Sequence, residues 1–243
     1  MNHKTGKNVS LSFYNTKTKQ KWSETVKPIS IYDEQELLYW RWFKIMRNKT
    51  EKLSGGKIGY VHVRSMSDES LREVYSDALG LNKDKEAVII DTRSNGGGWI
   101  HDDLVDLFNG HVYLNFNIRG VPFGNEPMNK WSKKSIVIMA EDNYSDANGF
   151  PYAYKKSGIG KLLGAPVAGT MTAVWWERLM TDEYVFGIPQ VGTQNLDGEY
   201  LENKTLEPDY LILNRNEMVI NGLDEQLEKA VEVLLNEIEN ENK

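Results

Sequence analysis

Apolar and polar side chains alternate over residues 9–13, and a second extended run at 21–26 closes on Lys27-Pro28. The polar turn Asn15-Thr16-Lys17-Thr18-Lys19 between them predicts a β-hairpin. A lone hairpin is marginal in water, so it packs on the rest or is the tail of a module that begins before Met1. Asp33 is placed to cap a helix over 33–47, where Leu37, Leu38, Trp40, Phe43 and Ile45 widen into an apolar face. Ser54-Gly55-Gly56 breaks the chain, and alternation returns over 57–63, with Ile58, Tyr60 and His62 on one face. A helix opened by Ser67 or Asp68 carries Leu71, Val74, Tyr75 and Ala78. The apolar runs at 87–91 and 135–140, with a shorter one at 161–167, have the character of buried parallel strands. Helices over 102–108 and up to about 157 fall between them. The segment 170–200 is rich in strand and turn. A last helix over 223–239 aligns Leu227, Val231, Leu234, Leu235 and Ile238, and the charged tail 239–243 is expected to fray.

Strands alternating with helices define an α/β domain with a largely parallel sheet. Sites in such sheets lie beyond the C-terminal ends of the strands. Two loops qualify, the one after Asp91 and the one after Met139.

Composition narrows the chemistry. The 243 residues suit one domain, or one domain plus a fragment of another. With 35 acidic against 29 basic side chains, the net charge of −6 counts against nucleic acid as a partner. Cysteine is absent, which removes disulfides, thiolate nucleophiles and Cys-based metal sites. His3, His62, His101 and His111 lack metal-ligand spacing, so neither metal nor cofactor is expected. No apolar run approaches the roughly 20 residues of a membrane span, so no membrane insertion is expected. The first residues contain no apolar signal region. A reducing cytosol and a periplasm both accommodate the chain, and the compartment stays unknown.

Asn95-Gly96-Gly97-Gly98 stands between a buried strand and a helix. It reads either as a tight turn or as a nest of uncovered amides that holds an anion. It fits no dinucleotide or Walker pattern, and the anion that remains is the transient oxyanion of acyl transfer. Ser145, before another helix, reads either as a capping serine or as a hydroxyl held at the positive helix end. Pro151 means that this helix begins near Asn148 or is kinked. Histidine is the natural base for a serine. His101 is the local candidate, whereas His62, in mid-strand, reads as structural.

The ordered pieces Gly55-Gly56-Lys57-Ile58-Gly59-Tyr60, Asp91 to Gly98, Ser145-Asp146, Gly158 to Gly164, Leu201-Glu202-Asn203, Glu207-Pro208-Asp209 and Asp224 to Leu227 resemble the core of tricorn-type serine proteases. These are relatives of the C-terminal processing (tail-specific) peptidases. The resemblance implies a ClpP/crotonase-like α/β core over 31–243, with residues 1–30 as the closing part of a PDZ-like domain. It implies Ser145 as nucleophile, the amides of Gly98 and Asp146 as oxyanion hole, and Glu202 as the carboxylate that orients the base through an intervening hydroxyl. It also implies Asn115 and Gly97 in substrate binding, a peptide as substrate, and assembly into oligomers or within a longer chain. Thr170 stands where the tail-specific branch has its lysine base. The tricorn branch takes its histidine from a segment before the PDZ domain. The expectation is therefore a serine endopeptidase core whose base lies outside these residues and which is inactive alone. Trp175 and Trp176 are candidates for an apolar pocket, one of them for the core. The basic run 130–134 either grips a peptide carboxylate or forms a solvated turn. The competing readings are a catalytically inert peptide-binding module of the same fold and a crotonase-type acyl-CoA enzyme.

Overall fold

The computed structural model describes residues 3–181 and 183–241. The chain forms two compact units, Met1–Ile45 and Met46–Lys243. In the first, β1 (Val9–Tyr14) pairs antiparallel with β2 (Lys21–Val26), as the alternation predicts. The long helix α1 (Ile31–Leu53) begins in this unit and ends in the second. It starts earlier than the apolar face suggests. Ser30 Oγ accepts from the Asp33 amide at 3.0 Å while the Asp33 carboxylate accepts from the Ser30 amide at 3.0 Å, a reciprocal capping box. Asp33 is thus the return partner of the cap.

The second unit is built on β3 (Ile58–His62), α2 (Asp68–Tyr75) prolonged by a π-helical turn at Ser76–Leu81, β4 (Ala87–Asp91), α3 (His101–Phe108), β5 (Leu114–Ile118) and β6 (Val121–Glu126). β7 (Lys134–Met139), α4 (Asp146–Lys156), β8 (Lys161–Gly164), β9 (Ala173–Arg178), β10 (Val185–Val191), β11 (Tyr210–Leu211), α5 (Asn216–Ile220) and α6 (Glu225–Glu241) follow. Of the charged tail, 239–241 continue α6, and 242–243 lie outside the described residues.

Five strands form one parallel sheet in the order β11-β8-β7-β4-β3. The α/β core with a parallel sheet is therefore as the sequence indicates. β3 is buried at all five positions despite its alternating pattern, because this sheet is covered on both faces. On one face Val61, Val88, Ile90, Val137, Met139 and Leu162 pack with Val74, Leu104, Leu107, Phe150 and Tyr154. α6 lies along β3, β4, β7 and β8 and brings Leu227, Ala230 and Leu234 to the other face.

Two antiparallel hairpins stand apart from this sheet, β5–β6 and β9–β10. The first has a two-residue turn with positive φ at both Arg119 and Gly120, the geometry that suits hairpin twist. Its alternation, Leu114, Phe116 and Ile118 answered by Val121 and Phe123, was a sequence signal as clear as that of β1–β2. The basic run is spent on structure: Lys130 pairs with Asp106, Lys133 donates to the carbonyls of Lys83 and Lys85, and Lys134 pairs with Glu241.

Candidate active site

β4 and β7 are parallel neighbours, with Asp91 beside Ile138, so their C-terminal ends leave the sheet on the same edge. The glycine-rich loop follows β4 and Ser145 follows β7. Their convergence is a product of topology. β8 adds the loop through Thr170, since Gly164 is beside Met139.

Ser145 has φ 54° and ψ −120°, a backbone conformation that L residues rarely adopt. Such residues persist only where the surroundings over-determine them. Here the Tyr144 amide donates to the Asn95 carbonyl at 3.1 Å, and the Ser145 amide donates to Thr170 Oγ1 at 3.0 Å. The Thr170 amide in turn donates to Asn148 Oδ1 at 3.0 Å. Gly97 packs so closely that an added Cβ would lie 2.8 Å from the Ser145 Cβ and 2.7 Å from the Tyr144 oxygen. The Ser145 side chain makes no capping hydrogen bond, so it is not spent as an N-cap.

Pro151 does sit inside α4. Its missing N–H would have bonded the Ala147 carbonyl. Asn143 Nδ2 donates to that carbonyl instead, at 3.1 Å, and to Thr92 Oγ1 at 2.8 Å. The helix therefore starts directly after Ser145.

The glycine loop is fixed with equal care. Asn95 Nδ2 donates to the Val63 carbonyl at 2.7 Å while Asn95 Oδ1 accepts from the Gly97 amide at 2.9 Å. Met66 donates to the Gly97 carbonyl at 3.1 Å and accepts from Trp99 at 2.8 Å, so strand alternation turns the Gly98 N–H away from Met66. A Cβ at Gly98 would meet the Met66 oxygen at 1.9 Å, which makes glycine obligatory there. Among the described residues neither the Gly98 amide nor the Asp146 amide donates a hydrogen bond.

The Asp146 side chain joins the two loops. One carboxylate oxygen accepts from the amides of Ile100 at 2.7 Å and His101 at 3.0 Å, capping α3. The other bonds His101 Nδ1. That bond raises the His101 pKa above the ordinary histidine range against the opposing pull of partial burial. Burial instead lowers the pKa of His62, whose Nε2 lies 3.3 Å from the Arg93 carbonyl oxygen, in keeping with a structural group.

Gly96, Gly97, Gly98, His101, Ser145 and Asp146 line one cavity of about 450 Å³, together with apolar side chains of β9 and β10. Glu202 lies beyond it, where its Oε2 accepts from the Thr172 amide at 2.9 Å and secures the loop that carries Thr170. Asn115 is on β5, paired with Asn125, and does not line the cavity. Trp176 lines it and Trp175 does not; both are exposed, so neither is core. The support given by Thr170 and Asn143 was missed from the sequence, because a threonine and an asparagine in loops carry no spacing signal. The described residues contain no cluster of side chains suited to a metal.

Residues 57–212 match peptidase family S41, and the chain belongs to that family. Tricorn proteases are among its relatives. The chain is 29% identical over 218 residues to the tricorn protease of Thermoplasma acidophilum, covering 88% of this chain and 20% of that protein. It is 28% identical over 215 residues to a Sulfurisphaera tokodaii protein named as the C-terminal subunit of a tricorn-like protease, covering 85% of this chain and 24% of that one. A crystal structure of the tricorn protease superposes with a TM-score of 0.82 at 25% identity, over 97% of this chain and 23% of that chain. The chain spans about a fifth to a quarter of the length of these relatives.

Proposed function

We propose that the chain is the catalytic core of a serine endopeptidase. Ser145 Oγ attacks the scissile carbonyl carbon and the carbonyl π electrons move onto oxygen. The amides of Gly98 and Asp146 receive that oxyanion, each worth about 3 kcal/mol of transition-state stabilisation. Collapse expels the amine, which takes the proton removed from Ser145, and water then releases the acyl group by the same steps reversed. The observation that carries this reading is Ser145 itself: a strained serine with an unspent hydroxyl, in one cavity with two undonated amides.

The general base is a histidine from outside residues 1–243, oriented by Glu202 through a hydroxyl. The hairpin β1–β2 belongs to a PDZ-like domain. A peptide is the substrate, and the exposed apolar side chains on β5–β6 and β9–β10 suit association with further copies or further chain. The chain alone is then nearly inactive on chromogenic peptides and gains activity when the base-bearing segment is added.

One observation favours a second reading, that His101 is the base. It lines the cavity, and the Asp146 carboxylate at Nδ1 fixes the tautomer whose lone pair is on Nε2. Hydrolysis by the 243-residue chain that disappears in Ser145→Ala and in His101→Ala would establish this reading and remove the external base. A catalytically inert peptide-binding module would show binding with no hydrolysis even when the segment is supplied.

A further inference from the structure

We infer that the cavity over Ser145 selects a large apolar side chain on the residue whose carbonyl is attacked, and rejects lysine and arginine at that position. The inference rests on Ser145 being the nucleophile.

The wall opposite the glycine loop comes from the β9–β10 hairpin and its approaches: Met171, Ala173, Val174, Trp176 and Val191. Val174 and Trp176 are two apart on one strand and share a face. Gly187 pairs with Trp176 across the hairpin. A Cβ at Gly187 would lie 2.9 Å from Val174 Cγ1 and 3.0 Å from Trp176 Cζ3. The indole is therefore laid down over a bare glycine, which sets its position although the side chain is exposed. An aromatic face held in place in this way gives contact area to an apolar side chain at little cost in ordering.

Charge points the same way. The charged side chains lining the cavity are His101 and Asp146. Asp146 is already committed, one oxygen to two backbone amides and the other to the His101 ring. Among the described residues no free carboxylate remains in the lining to receive an ammonium or guanidinium, and a cation without a partner is costly to desolvate.

The test is the affinity of the intact chain for two peptide aldehydes that differ only in their last residue, phenylalaninal or argininal, read by tryptophan fluorescence. The phenylalaninal peptide is expected to bind at least about tenfold more tightly, the scale of discrimination an apolar pocket gives. Val174→Asp should reverse the order, and Trp176→Ala should weaken the phenylalaninal peptide alone. Equal or tighter binding of the argininal peptide, lost in Ser145→Ala, overturns the specificity and leaves the peptidase reading standing. Binding of both that is unchanged in Ser145→Ala overturns the peptidase reading and the specificity with it, and binding of neither at millimolar concentration overturns the specificity.

Discussion

At Ser145 the backbone is held in a conformation that costs on the order of 1–3 kcal/mol, and three neighbours hold it there. Gly97 is the tightest of them, because it combines φ 94° with a position where an added Cβ would lie under 3 Å from atoms of residues 144 and 145. Gly97→Val is expected to lower stability by about 2–4 kcal/mol, combining φ strain with overpacking, and to abolish aldehyde binding. Urea denaturation and the fluorescence titration measure the two effects separately. Thr170→Val leaves the Ser145 amide without its acceptor, at a cost of about 1–3 kcal/mol where the group stays buried. The same denaturation curve checks it, and a Thr170→Ser variant should restore most of the loss. An unchanged midpoint in Thr170→Val would show that the threonine does not hold the Ser145 backbone. What the sequence conveys at this scale is the identity of the glycine loop and the serine, through glycine's freedom and the ordered motifs. It does not convey Thr170, Asn143 or Asp146 as supports, since each acts through tertiary hydrogen bonds to loop atoms that have no spacing pattern in the chain.

The loop between β4 and α3 is tied to α6 by Arg93. Its Nε is 3.0 Å from an Asp91 oxygen, and its Nη1 is 2.9 Å from Asp224, which caps α6 through the Leu227 amide at 3.0 Å. Burial alone would raise the pKa of Asp91, but the Arg93 charge and its hydrogen bonds outweigh burial and hold it below the ordinary value. Arg93→Ala strands the buried Asp91 carboxylate beside Asp224 and is expected to cost about 3–5 kcal/mol, read as a fall in the denaturation midpoint. A loss under about 1 kcal/mol would mean that the pair is screened like a surface ion pair. The parallel strands β4, β7 and β8 are legible because burial on both faces writes itself as continuous apolar runs, whereas the two-residue β11 is too short to show one. The first turn of α1 was misplaced because its cap, Ser30, precedes the apolar face. The hairpin β5–β6, with its alternation and Arg-Gly turn, lies outside the parallel-sheet pattern, because it is an antiparallel pair that stands apart from that sheet.

For the whole molecule, two histidines give opposite dependences of stability on pH. His101 has a folded-state pKa above its reference of 6.5, because the Asp146 hydrogen bond favours the charged ring. Its contribution is complete below the unfolded pKa and is lost as pH rises through the folded one. His62 has a folded-state pKa below 6.5, chiefly from burial, so the unfolded chain takes up the proton first and stability falls as pH drops below that value. Urea midpoints across this range should show both declines. His101→Gln should remove the alkaline one, and retention of that decline in the variant would assign it elsewhere.

The convergence of Ser145, Gly98 and Asp146 on one carbonyl is tested most directly by following backbone amides in nitrogen–proton correlation spectra while the peptide phenylalaninal is added. Downfield shifts of the Gly98 and Asp146 amides that vanish in Ser145→Ala are expected. Saturating binding that leaves both amides unmoved, or moves them equally without the serine hydroxyl, would contradict the shared site.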